Sequence, residues 1–179
     1  CVDRAGLVGQ DGETHQGIFD LSFFNLIPNI TIMAPKDFKE LEEMIEFAVN
    51  LKAPVVIRYP RGTESKKIEF EKEEKIELGK AEILAHGKDI TIVSIGKMVA
   101  RAVEVKEELK KEKIEAEVIN VRFLKPFDEK TIINSIKKTK KVITIEDNTV
   151  IGGLASKVQE LISNNEESDV QFKAFGLPD

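Results

Sequence analysis

Short β-branched runs alternate with segments of helical period almost from end to end, and this rhythm limits what the chain can fold into more than any other feature. Ile30-Thr31-Ile32-Met33-Ala34 reads as a strand that Pro35 ends. Asp37 predicts a helix start, with Glu40 three residues on as in a capping box. Phe38, Leu41, Met44, Ile45, Ala48 and Val49 then recur on one helical face, the face expected to dock on a sheet. Pro54-Val55-Val56-Ile57-Arg58 has the nearly continuous apolar character of a buried parallel strand and runs out into Tyr59-Pro60-Arg61-Gly62.

After a polar tract the rhythm resumes. Asp89-Ile90-Thr91-Ile92-Val93-Ser94-Ile95 predicts a strand turned by Gly96, then a helix through Met98, Ala102, Val105 and Leu109. Residues 116–121 and 141–146 predict strands around a helix that starts at Pro126-Phe127-Asp128 and carries Ile132, Ile133 and Ile136. Gly152-Gly153 opens a last helix with Leu154, Val158, Leu161 and Ile162, and residues 170–175 predict a final strand. Residues 80–85 are expected to add an edge strand. Such alternation implies mainly parallel sheets with helices on both faces. The expected fold class is therefore α/β, with two three-layer α/β/α domains: residues 1–62, a linker over 63–77, and residues 78–179. The linker is dominated by Lys and Glu, with Ile68, Phe70 and Ile76 as its anchors.

Composition narrows the function classes. The chain has 179 residues, 33% of them charged, and a net charge of −5, which argues against a general nucleic-acid or membrane-surface binder. It holds no run of 18 apolar residues. One cysteine, Cys1, excludes an internal disulfide and suits a reducing compartment. With no signal-peptide pattern at its start, a cytoplasmic location is expected. The start at Cys1-Val2 and the stop after an apolar run lead us to expect a C-terminal fragment of a longer polypeptide.

GQDGETHQG, residues 9–17, is the densest cluster of chemistry. Glycines 9, 12 and 17 allow positive φ and close approach of a ligand to the backbone. Asp11 and His15 lie four apart, close enough for a carboxylate to hold an imidazole charged and ready for proton transfer. Spacing alone favours an Asx turn with a surface histidine. Two arginine clusters add weight to the chemical reading. Asp3-Arg4-Ala5-Gly6 precedes the loop, and Arg61 follows a strand whose C-terminal end faces a ligand crevice in folds of this kind. Guanidinium groups bind phosphate in bidentate geometry, so an anionic substrate end between Arg4 and Arg61 is chemically consistent. Arg58 is expected to be structural. Lys137-Lys138 with Lys140-Lys141 reads as a solvated helix end before an anion site. Gly152-Gly153 reads as tight packing against Asp147 before a phosphate site.

DRAGLVGQDGETHQGIFDLSFF, IPNITIMAPKD and VVIRYPRG follow one another across residues 1–62, and VRFLKPFDE, VITIEDNTVIGG and FGLPD follow later. Together they resemble the 1-deoxy-D-xylulose-5-phosphate synthase family of transketolase-like, thiamine-diphosphate-dependent enzymes. The resemblance implies part of a pyrimidine-binding domain followed by a transketolase C-terminal domain. It implies a full-length, homodimeric transferase that condenses pyruvate with glyceraldehyde 3-phosphate and releases CO2. The product would serve isoprenoid, thiamine and pyridoxal biosynthesis. Carried over residue by residue, Arg4 and Arg61 hold the phosphate, His15 transfers protons or hydrogen-bonds at the reacting oxygens, and Asp11 positions substrate hydroxyls or the ring of His15. The family's GDG motif for the cofactor diphosphate and Mg²⁺ is absent. Gln10-Asp11-Gly12 sits in the substrate loop instead, and no cofactor or metal ligand is expected in this chain. The chain alone is accordingly expected to be inactive. A transketolase half-subunit, a 2-oxoacid dehydrogenase β-subunit and a non-catalytic dimerisation module are the alternatives.

Overall fold

A computed structural model describes residues 1–63 and 75–178. The expected linker lies mostly outside the described residues, as do Ile68 and Phe70; Ile76 is described and buried. The elements run α1 (Asp20–Asn25), β1 (Thr31–Met33), α2 (Phe38–Asn50), β2 (Val55–Ile57), β3 (Glu82–Ala85), β4 (Ile90–Ser94), α3 (Met98–Lys111), β5 (Ala116–Asn120), β6 (Phe123–Lys125), α4 (Glu129–Thr139), β7 (Lys141–Thr149), α5 (Leu154–Asn164) and β8 (Gln171–Leu177). The fold is α/β with two sheets among the described residues, ordered β3-β5-β4-β7-β8 and β2-β1-β6.

The larger sheet is parallel except for β3, which pairs antiparallel with β5 at the edge. Its inner strands β4, β5 and most of β7 are buried on both faces, and adjacent residues there serve opposite cores, whereas β8 at the edge is largely exposed. Ile92 and Val118 pack with Ala102 of α3. Val93, Ile119 and Val142 pack with Ile132 and Ile136 of α4 and with Leu154 and Val158 of α5. Thr91, one residue before Ile92, shares its hydroxyl at 2.7 Å with both Ser135 and Thr139 of α4, so the polar atom it buries is satisfied. Asp128 caps α4, accepting the Thr131 N–H at 3.1 Å. Among the described residues no helix is long and apolar enough to cross a membrane.

The smaller sheet is mixed. β1 pairs parallel with β2, while its other neighbour, β6, is antiparallel and comes from the second half of the chain. Sequence periodicity does not reveal β6, because only Val121 and Arg122 separate it from β5 and the apolar run continues across them. The chain reaches it by a turn at Arg122, whose φ of 56° is left-handed and which lies two residues past the end of β5. The Val121 N–H still donates to Ser94 of the large sheet at 2.9 Å, and the Arg122 carbonyl already accepts from Ala34 beside the small one at 3.0 Å. A strand from the second half thus covers the edge of β1. The main apolar core likewise joins Leu21, Ile32 and Ala34 to residues of the larger sheet.

Asp37 caps α2 as the sequence predicts, accepting the Glu40 N–H at 2.7 Å, while the Glu40 carboxylate accepts the Lys36 N–H at 2.7 Å. The docking face differs from expectation. Met44 is fully buried, and Leu41, Phe47 and Ala48 pack beside it against Met33, Ile57 and Phe123. Phe38, Ile45 and Val49 are exposed, Val49 by 82%. The apolar arc of α2 is wider than a three-stranded sheet can cover. A short helix, α1, carries no helical period in the sequence. It buries only Leu21, whose N–H donates to Asn148.

Where the sheets meet, Lys36, Glu40, Glu82, Asn120 and Arg122 are all buried. Arg122 Nε lies 2.7 Å from Glu40, and its terminal nitrogen lies 3.0 Å from Glu82. Lys36 Nζ lies 3.1 Å from each of the same carboxylates, and Asn120 Nδ2 donates to both. Two buried cations are thus met by two buried carboxylates, with Asp37 3.8 Å from Lys36 at the rim, the condition under which buried charge is tolerated.

Candidate functional site

Residues 2–5 run alongside the exit of β2. Val2 donates to the Ile57 carbonyl at 2.9 Å and accepts from Tyr59 at 2.9 Å, and Ala5 donates to the Tyr59 carbonyl at 3.2 Å. This short pairing brings Arg4 and Arg61 together although they are 57 positions apart. The chain then leaves as a loop and returns at Gly17. Gly6 donates to the Gly17 carbonyl at 2.8 Å, and Gly17 donates to the Arg4 carbonyl at 2.8 Å, which closes a narrow neck. A side chain on Gly17 would collide with the Arg4 carbonyl and with Asp20. Gly12 takes a positive φ of 67°. Gly9 meets neither condition: its φ is not positive and the space beside it is open.

Inside the loop, Asp11 pairs with both arginines. Its Oδ2 lies 2.7 Å from Arg4 Nε and its Oδ1 contacts Arg61 NH1. The Asp11 carboxylate is 9% exposed, against 34% and 47% for the Arg4 and Arg61 side chains. Arg4 also reaches Asp3 at 2.7 Å. The Arg4–Asp11 contact lacks hydrogen-bond alignment, and both atoms are otherwise unpaired. It is an ionic contact that a better-shaped anion can improve upon.

His15 is exposed, and its Nδ1 lies 2.9 Å from Thr14 Oγ1. The expected Asp11–His15 pair does not form, because the two guanidinium groups hold the carboxylate more strongly than one imidazole could. Three of the four candidate site residues, Arg4, Asp11 and Arg61, thus meet at one point. His15 shares their loop and presents its ring to solvent. Sequence reasoning missed Gln16, whose amide holds the loop's shape. It donates to Val8 and Gly12 carbonyls at 2.9 and 2.6 Å and accepts the Val8 N–H at 2.6 Å. A lone Gln carries no signal for such a role.

Arg58 is structural, as expected, and 2% exposed. Its guanidinium donates to the Gly17 carbonyl at 2.8 Å, to Asp147 Oδ1 at 2.7 Å and to Asp20 at 3.4 Å. Asp147 also pairs with Lys97 at 3.2 Å. Beside it, Glu146 accepts the first free amides of α5, from Leu154 at 2.9 Å and Ala155 at 2.8 Å. These amides are therefore committed and hold no phosphate site. Gly153 packs against Glu146 rather than the expected Asp147, because Glu146 is the residue that reaches under the helix start. Burial pushes the Glu146 carboxyl up to about 7, against the two amides and Arg58, which lower it; Asp147 adds to the rise. Burial also raises the Asp20 carboxyl, opposed by Arg58.

The lysine cluster at the end of α4 is a solvated helix end whose charges are mostly paired. Lys137 and Lys140 pair with Glu167, Lys140 also with Asp169, and Lys138 with Glu117. Among the described residues no group of three or more His, Cys, Asp or Glu could hold a metal ion. The carboxylate of Gln10-Asp11-Gly12 faces two arginines, so these residues do not fit a cofactor diphosphate with Mg²⁺.

Comparison with known proteins follows the same lines. The family profile for the transketolase pyrimidine binding domain matches residues 1–65, and that for the transketolase C-terminal domain matches residues 79–179. The 1-deoxy-D-xylulose-5-phosphate synthase of Halothermothrix orenii is 48% identical over 180 residues, and that of Desulforudis audaxviator 45% over 179. All of this chain is covered in each case, against 28% of the relative. The chain thus spans just over a quarter of the length of these curated relatives. A structure described as a split gene transketolase, inactive beta4 tetramer, is 34% identical with a TM-score of 0.84, covering 92% of this chain and 53% of that one. The transketolase of Campylobacter jejuni superposes at a TM-score of 0.71 over 99% of this chain and 26% of its own, with 23% identity, a likeness of fold.

Proposed function

The chain belongs to the transketolase family, and on that premise we propose that it forms the phosphate-binding part of a 1-deoxy-D-xylulose-5-phosphate synthase. In this reading the whole protein is a cytoplasmic homodimer that condenses pyruvate with glyceraldehyde 3-phosphate, releases CO2, and serves isoprenoid and thiamine biosynthesis. Residues 1–62 are its pyrimidine-binding portion, 63–77 the linker and 78–179 its C-terminal domain. The observation that carries the reading is the convergence of Arg4 and Arg61 on one carboxylate, Asp11, within the DGETH loop.

Asp11 supplies one negative charge to two guanidinium groups. A phosphate dianion supplies two charges and three oxygens in a geometry that suits both forks. It therefore competes with Asp11 for the arginines, and a displaced Asp11 becomes available to substrate hydroxyls. His15, on the same loop and open to solvent, is placed by this proposal at the reacting oxygens for proton transfer. The carbanion chemistry belongs to thiamine diphosphate with Mg²⁺. Among the described residues no group of three or more His, Cys, Asp or Glu could hold its metal ion, and Asp11 is held by two arginines, so no step is drawn through the group and this chain alone is read as inactive.

Titration of the chain with glyceraldehyde 3-phosphate tests the phosphate site. Arg61→Ala and Arg4→Ala are each expected to weaken binding at least about tenfold, the scale of one charged hydrogen bond. Equal binding of unphosphorylated glyceraldehyde, or unchanged affinity in both variants, overturns the assignment. CO2 release above blank from the chain with pyruvate, the aldehyde, cofactor and Mg²⁺ overturns the reading of an inactive part. A second reading, a half-subunit of a split transketolase, is favoured by the likeness to the split-gene structure. Ketol transfer between sugars by the assembled protein, without pyruvate, decides for it.

A further inference from the structure

Both strands of the neck of the candidate substrate loop are held by cations that share one carboxylate. Arg58 NH2 donates to the Gly17 carbonyl at 2.8 Å, and Lys97 Nζ donates to the Ala5 carbonyl at 3.3 Å. Asp147 links the two, with Oδ1 at 2.7 Å from Arg58 and Oδ2 at 3.2 Å from Lys97. Gly6, between the two gripped carbonyls in the neck, has no room for a side chain: a Cβ there would run into Asp147 and lie 2.8 Å from Lys97 Nζ. Arg58 leaves β2, Lys97 precedes α3 and Asp147 lies in β7, so three separate elements from both halves of the chain meet at the neck.

We propose that Arg58, Asp147 and Lys97 form a clamp through which the second half of the chain, by Lys97 and Asp147, sets the position of the loop bearing Asp11 and His15. They are positioning residues. Arg58 and Asp147 are almost fully buried, and none of the three lies in the Arg4–Asp11–Arg61 cluster. Their action runs through two backbone carbonyls. Arg4 and Gly17 form the neck itself, so its displacement moves the Arg4 guanidinium against Arg61 and misaligns the pair that would receive a phosphate. The link from clamp to phosphate rests on the function proposed above. The link from clamp to loop does not.

Hydrogen–deuterium exchange on the full chain tests the second link without any activity. Lys97 is one-third exposed, so Lys97→Met removes one jaw without opening the core. Asp147→Asn removes the shared charge. In both variants the amides of Gly6, Val8, Asp11 and Gly17 are expected to exchange at least about tenfold faster, the scale of one charged hydrogen bond. Amides of β4 and β7 should keep their rates, and Lys97→Arg should restore protection in the loop. Unchanged loop exchange, or an equal rise in the strands, overturns the clamp. Titration with inorganic phosphate then tests the first link. A fall of about tenfold in affinity with Lys97→Met supports positioning, and faster loop exchange at unchanged affinity overturns it. If the unaltered chain binds neither phosphate nor glyceraldehyde 3-phosphate, the proposed function fails while the exchange result stands.

Discussion

Replacing Glu146 by Gln should make the chain less sensitive to pH, in a direction set by burial. Glu146 is 2% exposed, and its carboxyl is pushed up from 4.5 to about 7. A group whose folded pKa lies above its unfolded value holds its proton more tightly in the native state. Its contribution to stability is complete below pH 4.5 and is lost as pH rises through about 7. With about 1.4 kcal/mol per pH unit, the shift corresponds to a loss of about 3 kcal/mol between pH 4.5 and about pH 8. The Gln variant cannot ionise. It accepts through a single oxygen and leaves one α5 amide weaker, a pH-independent cost of about 1 kcal/mol. Urea unfolding of both proteins at a series of pH values measures the difference, which cancels the titration of every other group. Wild type should be the more stable below pH 5, lose its advantage soon above it, and be the less stable by about 2 kcal/mol near pH 8. Parallel profiles, or a wild type that gains on the variant as pH rises, would show that the two helix amides outweigh burial and refute the reasoning.

Two further perturbations are decided by the structure. Glu40→Leu leaves Lys36 and Arg122 sharing Glu82 in a dry site and should destabilise by about 3–5 kcal/mol in chemical denaturation. Adding Arg122→Met should recover part of that loss, and strictly additive effects would remove the case for a coupled junction. Gly17→Ala collides with the Arg4 carbonyl and should cost about 2 kcal/mol or more, whereas Gly9→Ala meets open space and should change stability by less than about 0.5 kcal/mol.

Much of the architecture could be read from periodicity. Long elements with strong patterns, such as α3, β4, β5 and α5, lie where the alternation of apolar residues puts them. What escaped was short or relational. α1 has six residues, too few to show a helical period, and β6 follows β5 after only two residues, so the two strands read as one. The exposure of Phe38, Ile45 and Val49 depends on how wide a sheet α2 meets, which is a property of strands distant in sequence. At the site, residue types led to Arg4, Asp11 and Arg61, because guanidinium and carboxylate groups have few stable ways to share a small space. Spacing within the loop does not reveal the partners of Asp11, because Arg4 and Arg61 reach it only once the chain has folded. Lys97 and Asp147 were invisible as clamp residues, because each holds a backbone carbonyl or a second charge whose neighbourhood exists only after folding.

The turn at Arg122 has a consequence for how such chains can be recombined. A crossover placed in the Lys- and Glu-rich tract separates the two halves in the gene but not in the folded object, because the strand that closes the first sheet is encoded past the cut. A hybrid made from two relatives at that boundary must therefore graft a foreign β6 onto a native β1, in register and with the ionic junction matched. Parents that diverge at Ile32, Lys36, Glu40 and Arg122 should be incompatible there, however well each half folds in its own background.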